Sequence, residues 1–272
     1  MTVPKPLSNV EGVGVRYPRA SPGTQKRGSM RLYILDYGLF EVYDNGRQIG
    51  IQGYLIQSGD GVNILVDTGF PAWHVDDPAA AIEREGMRDF GRHLELTTDN
   101  LPPAQLARCG LTPGDITQLV ITHGDVDHIG GVSDFPRATL VVSRAERANP
   151  PRYFEGVASP IAWPADGAQL LIDDDTELVP GVTLLSTPGH SRGHLSLLAR
   201  LPNSGPVLLA CDAISRPQEW EEDRYGGAWD EEQVRASARR VMQLASAERA
   251  FLIYGHDPEQ WQTLRKAPEF YD

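Results

Sequence analysis

The chain has 272 residues, 40% of them hydrophobic, and a formal net charge of -12. No apolar run approaches the ~18 residues needed to cross a bilayer, and the acidic balance opposes nucleic-acid phosphates. Two cysteines, Cys109 and Cys211, exclude a disulfide framework and fit a reducing cytoplasm.

Residues 1–29 carry Pro4, Pro6, Pro18 and Pro22 and read as an extended arm. The arm is basic but lacks an apolar core, so it does not read as a secretory signal. It could swap onto a second copy, giving a homodimer. A single domain then spans 30–272.

Strand patterns follow at Met30–Leu35, Leu39–Tyr43, Gly53–Gln57 and Val62–Val66, with a turn at Asp44-Asn45-Gly46. These form an antiparallel meander ending in Asp67-Thr68-Gly69. Pro78–Leu96 reads as largely helical, and a second helix starts at Leu101-Pro102-Pro103 and stops at Gly110. Strands return at Ile116–Thr122 and Leu140–Ser143, followed by a short helix near Arg144–Ala148.

Further strands are predicted at Leu170–Ile172, Val182–Ser186, Leu195–Leu201, Val207–Ala210 and Ala250–Tyr254. A helix runs from Asp230, its N-cap, to Ser246. A long loop spans 149–168, and aromatic residues at 149–164 and 214–229 are candidate walls for an apolar group. Asp173-Asp174-Asp175 reads as a solvated turn. Strands, helices, strands and a helix suit two packed sheets with helices outside, an α/β (α+β) four-layered αββα sandwich.

The chemistry is concentrated in His123-Gly124-Asp125-Val126-Asp127-His128, directly after the apolar run Leu119-Val120-Ile121. Four ligand-type side chains so close together need a cation unless they stay in water. His190, Asp212 and His256 each follow another strand-like run and sit on loops at strand ends. The seven residues could complete a two-cation hydrolytic site, one carboxylate being shared.

These motifs resemble the metallo-β-lactamase superfamily over roughly residues 30 to 262. The matching stretches are Asp67-Thr68-Gly69, the segment Thr122–Gly131, Thr187-Pro188-Gly189-His190-Ser191-x-Gly193-His194, Asp212 and Gly255-His256. Leu32–Asp36, Leu65–Gly69 and Leu106–His123 are most similar to the N-acyl homoserine lactonase group. The resemblance implies one cation on His123, Asp125 and His190, another on Asp127, His128 and His256, and Asp212 between them. It implies zinc first, with manganese or iron as alternatives. Asp67 would orient a ligand histidine, and His194 would support a ligand or touch substrate.

The chain departs from the family pattern twice. Asp125 stands where the family has a second histidine, so three carboxylates face the cations instead of two. Residual charge falls from about +2 to about +1, which weakens Lewis acidity and favours harder ions. Ser215 stands where the lactonase group has a tyrosine, and its hydroxyl is too short for the same reach. Tyr225, Tyr153 and Arg216 are candidates to take over.

The implied activity is opening of a lactone or related ester, N-acyl homoserine lactones among them. A hydroxide bridging the cations would attack the carbonyl carbon, and Asp127 or Asp212 would pass a proton to the leaving alkoxide. The alternatives are thioesterase, arylesterase, organophosphate or β-lactam hydrolysis, a di-iron redox role, and weakly catalytic metal binding. The partner is a small molecule; no nucleic acid and no membrane are expected.

Overall fold

The computed structural model describes residues 30–85, 87–151, 159 and 161–272. The N-terminal arm and Tyr153 lie outside them.

A seven-stranded sheet is built from β1 (Arg31–Val42), β2 (Arg47–Gln57), β3 (Asn63–Val66), β4 (Gly91–Glu95), β5 (Gln118–Val120), β6 (Thr139–Ser143) and β7 (Gln169–Ile172), in the order β4-β1-β2-β3-β5-β6-β7. A five-stranded sheet follows from β8 (Thr176–Val179), β9 (Val182–Ser186), β10 (Leu195–Leu201), β11 (Gly205–Cys211) and β12 (Phe251–Tyr254), in the order β12-β11-β10-β9-β8.

Period-two alternation makes the layers. Along β1, Leu32 and Ile34 enter a cluster with Val182, Leu197 and Leu209 of the other sheet, while Tyr33, Leu35 and Tyr37 enter one containing Leu106, Val126 and Ile129. The outer face of the second sheet buries Leu198, Leu208 and Ala210 against Val234, Ala238 and Val241 of the helix Glu231–Glu248. Each fully buried aliphatic side chain contributes about 2 kcal/mol, so three such clusters stabilise a four-layered αββα arrangement.

Three readings change. The two early strand patterns are one strand, β1, whose register with β2 shifts between Asp36 and Gly38. Gly38 has φ +103°, and a Cβ there would lie 2.1 Å from the Glu95 carbonyl oxygen, so only glycine fits. The helix expected over Pro78–Leu96 covers only Pro78–Arg84, and Gly91–Glu95 instead pairs antiparallel with β1. β8 and the helix Pro258–Thr263 escaped the sequence patterns. The tail beyond that helix returns to β1, where Leu32 and Tyr271 exchange backbone hydrogen bonds of 2.8 and 2.9 Å.

β3 runs parallel to β5, and β11 parallel to β12. β9 points the same way as β11, since both flank β10 antiparallel. The carboxyl ends of these five strands deliver Asp67, His123, His190, Asp212 and His256. Loops at the carboxyl ends of parallel strands share one edge, which is where such folds place ligands. Leu195 N–H donates to the Thr122 carbonyl at 3.1 Å and joins the sheets beside that edge.

Candidate metal centre

Asp67, His190, Asp212 and His256 each follow a different strand, while His123, Asp125, Asp127 and His128 all follow β5, the last two within the short helix Val126–Ile129. Asp67, with φ 59°, follows β3 directly. Its Oδ1 accepts from Thr122 N–H at 2.8 Å, and its Oδ2 accepts from the Thr122 hydroxyl at 2.7 Å. That Oδ2 also accepts from His128 Nδ1 at 2.8 Å. The proton is thereby fixed on Nδ1, and Nε2 is left facing the cleft. His256 is set in the same way, its Nδ1 donating to the Gly50 carbonyl at 2.9 Å.

His190 sits on a loop braced by the long helix. Ser237 donates to the Pro188 carbonyl at 2.7 Å, Asp230 N–H to the Gly189 carbonyl at 2.9 Å, and Trp229 N–H to the His190 carbonyl at 3.0 Å. The backbone of Trp229, at the end of the segment 214–229, thus meets the His190 loop, and Pro217–Glu221 within that segment is a short helix.

The side chains converge. His123, Asp125 and His190 form one group with ligand atoms within 4.8 Å of one another, and Asp127, His128 and His256 form another. Asp212 spans both. Its Oδ2 lies 3.2 Å from His256 Nε2 and 3.6 Å from His190 Nε2, and its Oδ1 lies 3.5 Å from His128 Nε2. Asp125 Oδ2 lies 3.2 Å from His190 Nε2 and 3.6 Å from His123 Nε2. Asp127 Oδ2 is 3.6 Å from both His128 Nε2 and His256 Nε2. His123, His128, Asp212 and His256 are buried, whereas Asp125, Asp127 and His190 are half-buried and form the open side.

Carboxylates and imidazoles in the cleft stabilise one another's charged forms. Burial alone would raise Asp125 and Asp212, but the surrounding imidazoles hold both carboxyls well below their ordinary value. Burial would lower His128 and His256. Asp127, Asp212 and Asp67 instead hold His128 well above its ordinary value, and Asp212 lifts His256 to about 8. Two buried atoms, His123 Nε2 and Asp212 Oδ1, have no hydrogen-bond partner among the described residues. Orphaned lone pairs pointing into an acid-rich cleft fit divalent cations with nitrogen and oxygen ligands.

His194 has a supporting place. Its Nε2 accepts from Asp212 N–H at 3.0 Å, so its proton is on Nδ1, which lies 2.9 Å from the Thr187 hydroxyl and 3.2 Å from the Thr187 carbonyl. Ser215 contributes backbone, its carbonyl accepting from His256 N–H at 2.7 Å. Tyr225 lies in the apolar cluster with Leu185 and Val234, its hydroxyl buried without a hydrogen-bond partner among the described residues.

Sequence reasoning missed Glu146. Its buried carboxylate accepts from Gly124 N–H at 2.9 Å, Ser191 hydroxyl at 2.7 Å and Gly193 N–H at 3.0 Å. It ties the His123 loop to the His190 loop. Ser143, which caps its short helix at Glu146 N–H, was the only local signal.

Known proteins share this architecture. The model of the Metallo-beta-lactamase superfamily matches residues 49–256. An N-acyl homoserine lactonase of Bacillus cereus is 33% identical over 218 residues, covering 80% of this chain and 85% of that protein. The N-acyl homoserine lactonase AttM of Rhizobium radiobacter is 38% identical over 179 residues, covering 61% of this chain and 68% of that one. A solved N-acyl homoserine lactone hydrolase, with N-hexanoyl-L-homoserine bound at its catalytic metal centre, superposes with a TM-score of 0.76 at 28% identity, over 90% of this chain and all of that one. From strand ends to sequence match, the chain belongs to the metallo-β-lactamase superfamily.

Proposed function

We propose that this chain is a metal-dependent hydrolase that opens lactones or closely related esters, N-acyl homoserine lactones among them. The observation that carries the reading is Asp212, whose two oxygens face His128 on one side and His190 and His256 on the other. Similarity to lactonases supplies the substrate class.

His123, Asp125 and His190 would hold one cation, Asp127, His128 and His256 the other, and Asp212 both. Zinc suits the nitrogen-rich set, and Asp125 shifts the balance towards manganese or iron. Two bound divalent cations would supply a nucleophile at neutral pH and polarise the ester carbonyl.

The chain's own residues do the rest. Asp67 and Gly50 fix the tautomers of His128 and His256, and His194 anchors the backbone of Asp212. Asp127 and Asp212 both present Oδ2 to the cleft, and either can take the proton given up by the attacking water and pass it to the leaving alkoxide. Pro151 and Trp163 lie against Gly124 and provide apolar wall beside the site. Free Cys109 and Cys211 fit a cytoplasmic location, and no helix among the described residues is long and apolar enough to cross a membrane. The partner is a small molecule.

The test is a panel of lactones, thioesters, phosphotriesters and β-lactams offered to purified protein of measured metal content. Lactone turnover, abolished by a chelator and restored by zinc or manganese, is expected. Turnover of phosphotriesters or thioesters alone would overturn the reading.

A further inference from the structure

A charge cluster beside the metal centre contains Arg216, one of the candidates to stand in for the tyrosine, together with Arg47 and Glu219. Arg47 opens β2, and Arg216 follows Ser215 directly. Glu219 feels the charge of both. Its Oε1 is 3.9 Å from Arg47 Nη1, and its Oε2 accepts from Ser215 N–H at 2.8 Å. Because the Ser215 carbonyl holds His256 N–H, this cluster is two contacts from the centre.

Each guanidinium has one buried donor to spare. The Nε of Arg47 and the Nε of Arg216 are buried and have no hydrogen-bond partner among the described residues. Other arginines here behave differently. Arg144 places Nε and Nη2 on Asp173 at 2.9 and 3.0 Å, and Arg235 places Nε on Asp223 at 2.8 Å. Burial, then repulsion from Arg216, lowers the Arg47 pKa, and Glu219 and Asp212 only partly oppose this. Two guanidiniums share Glu219, with Asp212 the further carboxylate acting on Arg47, and each keeps one buried donor unpaired. That arrangement is costly unless an anion completes it, and the planar fork suits a carboxylate.

We propose that Arg47 and Arg216 form a carboxylate-binding subsite, so that lactones bearing a free carboxylate are the preferred substrate class. The proposal rests on the lactone reading above for its substrate, but not for its ligand chemistry.

The experiment compares 5-oxotetrahydrofuran-2-carboxylate with its neutral primary carboxamide on the metal-loaded enzyme, Arg47→Gln and Arg216→Gln. The ratio of kcat/KM, acid over amide, is expected to be about tenfold or more in the parent enzyme and to fall about tenfold in each variant, through KM of the acid. A ratio near one in the parent, or one unchanged in both variants, overturns the proposal. Should the glutamine variants not fold, Arg216→Lys keeps the charge without the fork and is expected to lower the ratio about threefold; an unchanged ratio there overturns it equally. If neither of these two lactones opens, the lactone panel above judges the lactone reading, and calorimetry decides the subsite alone. 2-Hydroxyglutarate, the ring-opened dicarboxylate, should bind the parent about tenfold more tightly than 4-hydroxybutyrate, and equal binding overturns the proposal.

Discussion

Asp67 Oδ2 lies 2.8 Å from His128 Nδ1, and the same oxygen accepts the Thr122 hydroxyl at 2.7 Å. One carboxylate therefore sets a ring tautomer and pins the residue before His123. Asp67→Ala frees the His128 ring and leaves Thr122 N–H without its acceptor. Metal affinity is expected to fall about 10–100-fold, measured by competition with a chromophoric chelator.

Asp125 Oδ2 stands 3.2 Å from His190 Nε2. Replacing it by an imidazole removes one negative charge and adds a softer donor. Asp125→His is expected to retain zinc about tenfold more tightly against dialysis. Unchanged retention would show that Asp125 holds no metal.

Gly189 has φ +129°, and a Cβ there would sit 2.0 Å from the backbone nitrogen of Val234 in the long helix. Gly189→Ala combines backbone strain with overpacking, about 3 kcal/mol together. The loop bearing His190 must then move off the helix. A lower urea midpoint and loss of one bound metal per chain are expected; a variant with parental stability would contradict the close approach.

His93 lies 2.8 Å from His74 Nδ1, while His74 Nε2 meets Glu85 on its other side. Burial, reinforced by His74, lowers the His93 pKa to about 3. In the unfolded chain it titrates near 6.5, so between about 6.5 and about 3 the unfolded state binds more protons. Stability from this group is complete above about 6.5 and declines as pH falls, by up to about 1.4 kcal/mol per pH unit. His93→Gln should flatten the acid limb of stability measured by urea unfolding at several pH values.

Legibility followed distance along the chain. The ligands at 123–128 were readable because four of them share one six-residue segment, and the strands were readable where apolar residues alternate. Gly91–Glu95 was misread because four of its five residues are not buried and show no period of their own. It is a strand because β1 offers unpaired backbone groups at the sheet edge. Glu146 was invisible for a related reason, since its three partners lie 22 to 47 residues away on other loops.

The amino-acid order alone determined two sheets with helices outside and a set of seven candidate ligands, because side-chain periodicity and ligand type are local properties. Tertiary structure decided which ring nitrogens face the cleft, that Asp212 reaches both groups, and that Arg47 and Arg216 stand together beside Glu219. Those relations depend on where loops from separate strand ends come to rest, and packing between two sheets sets that.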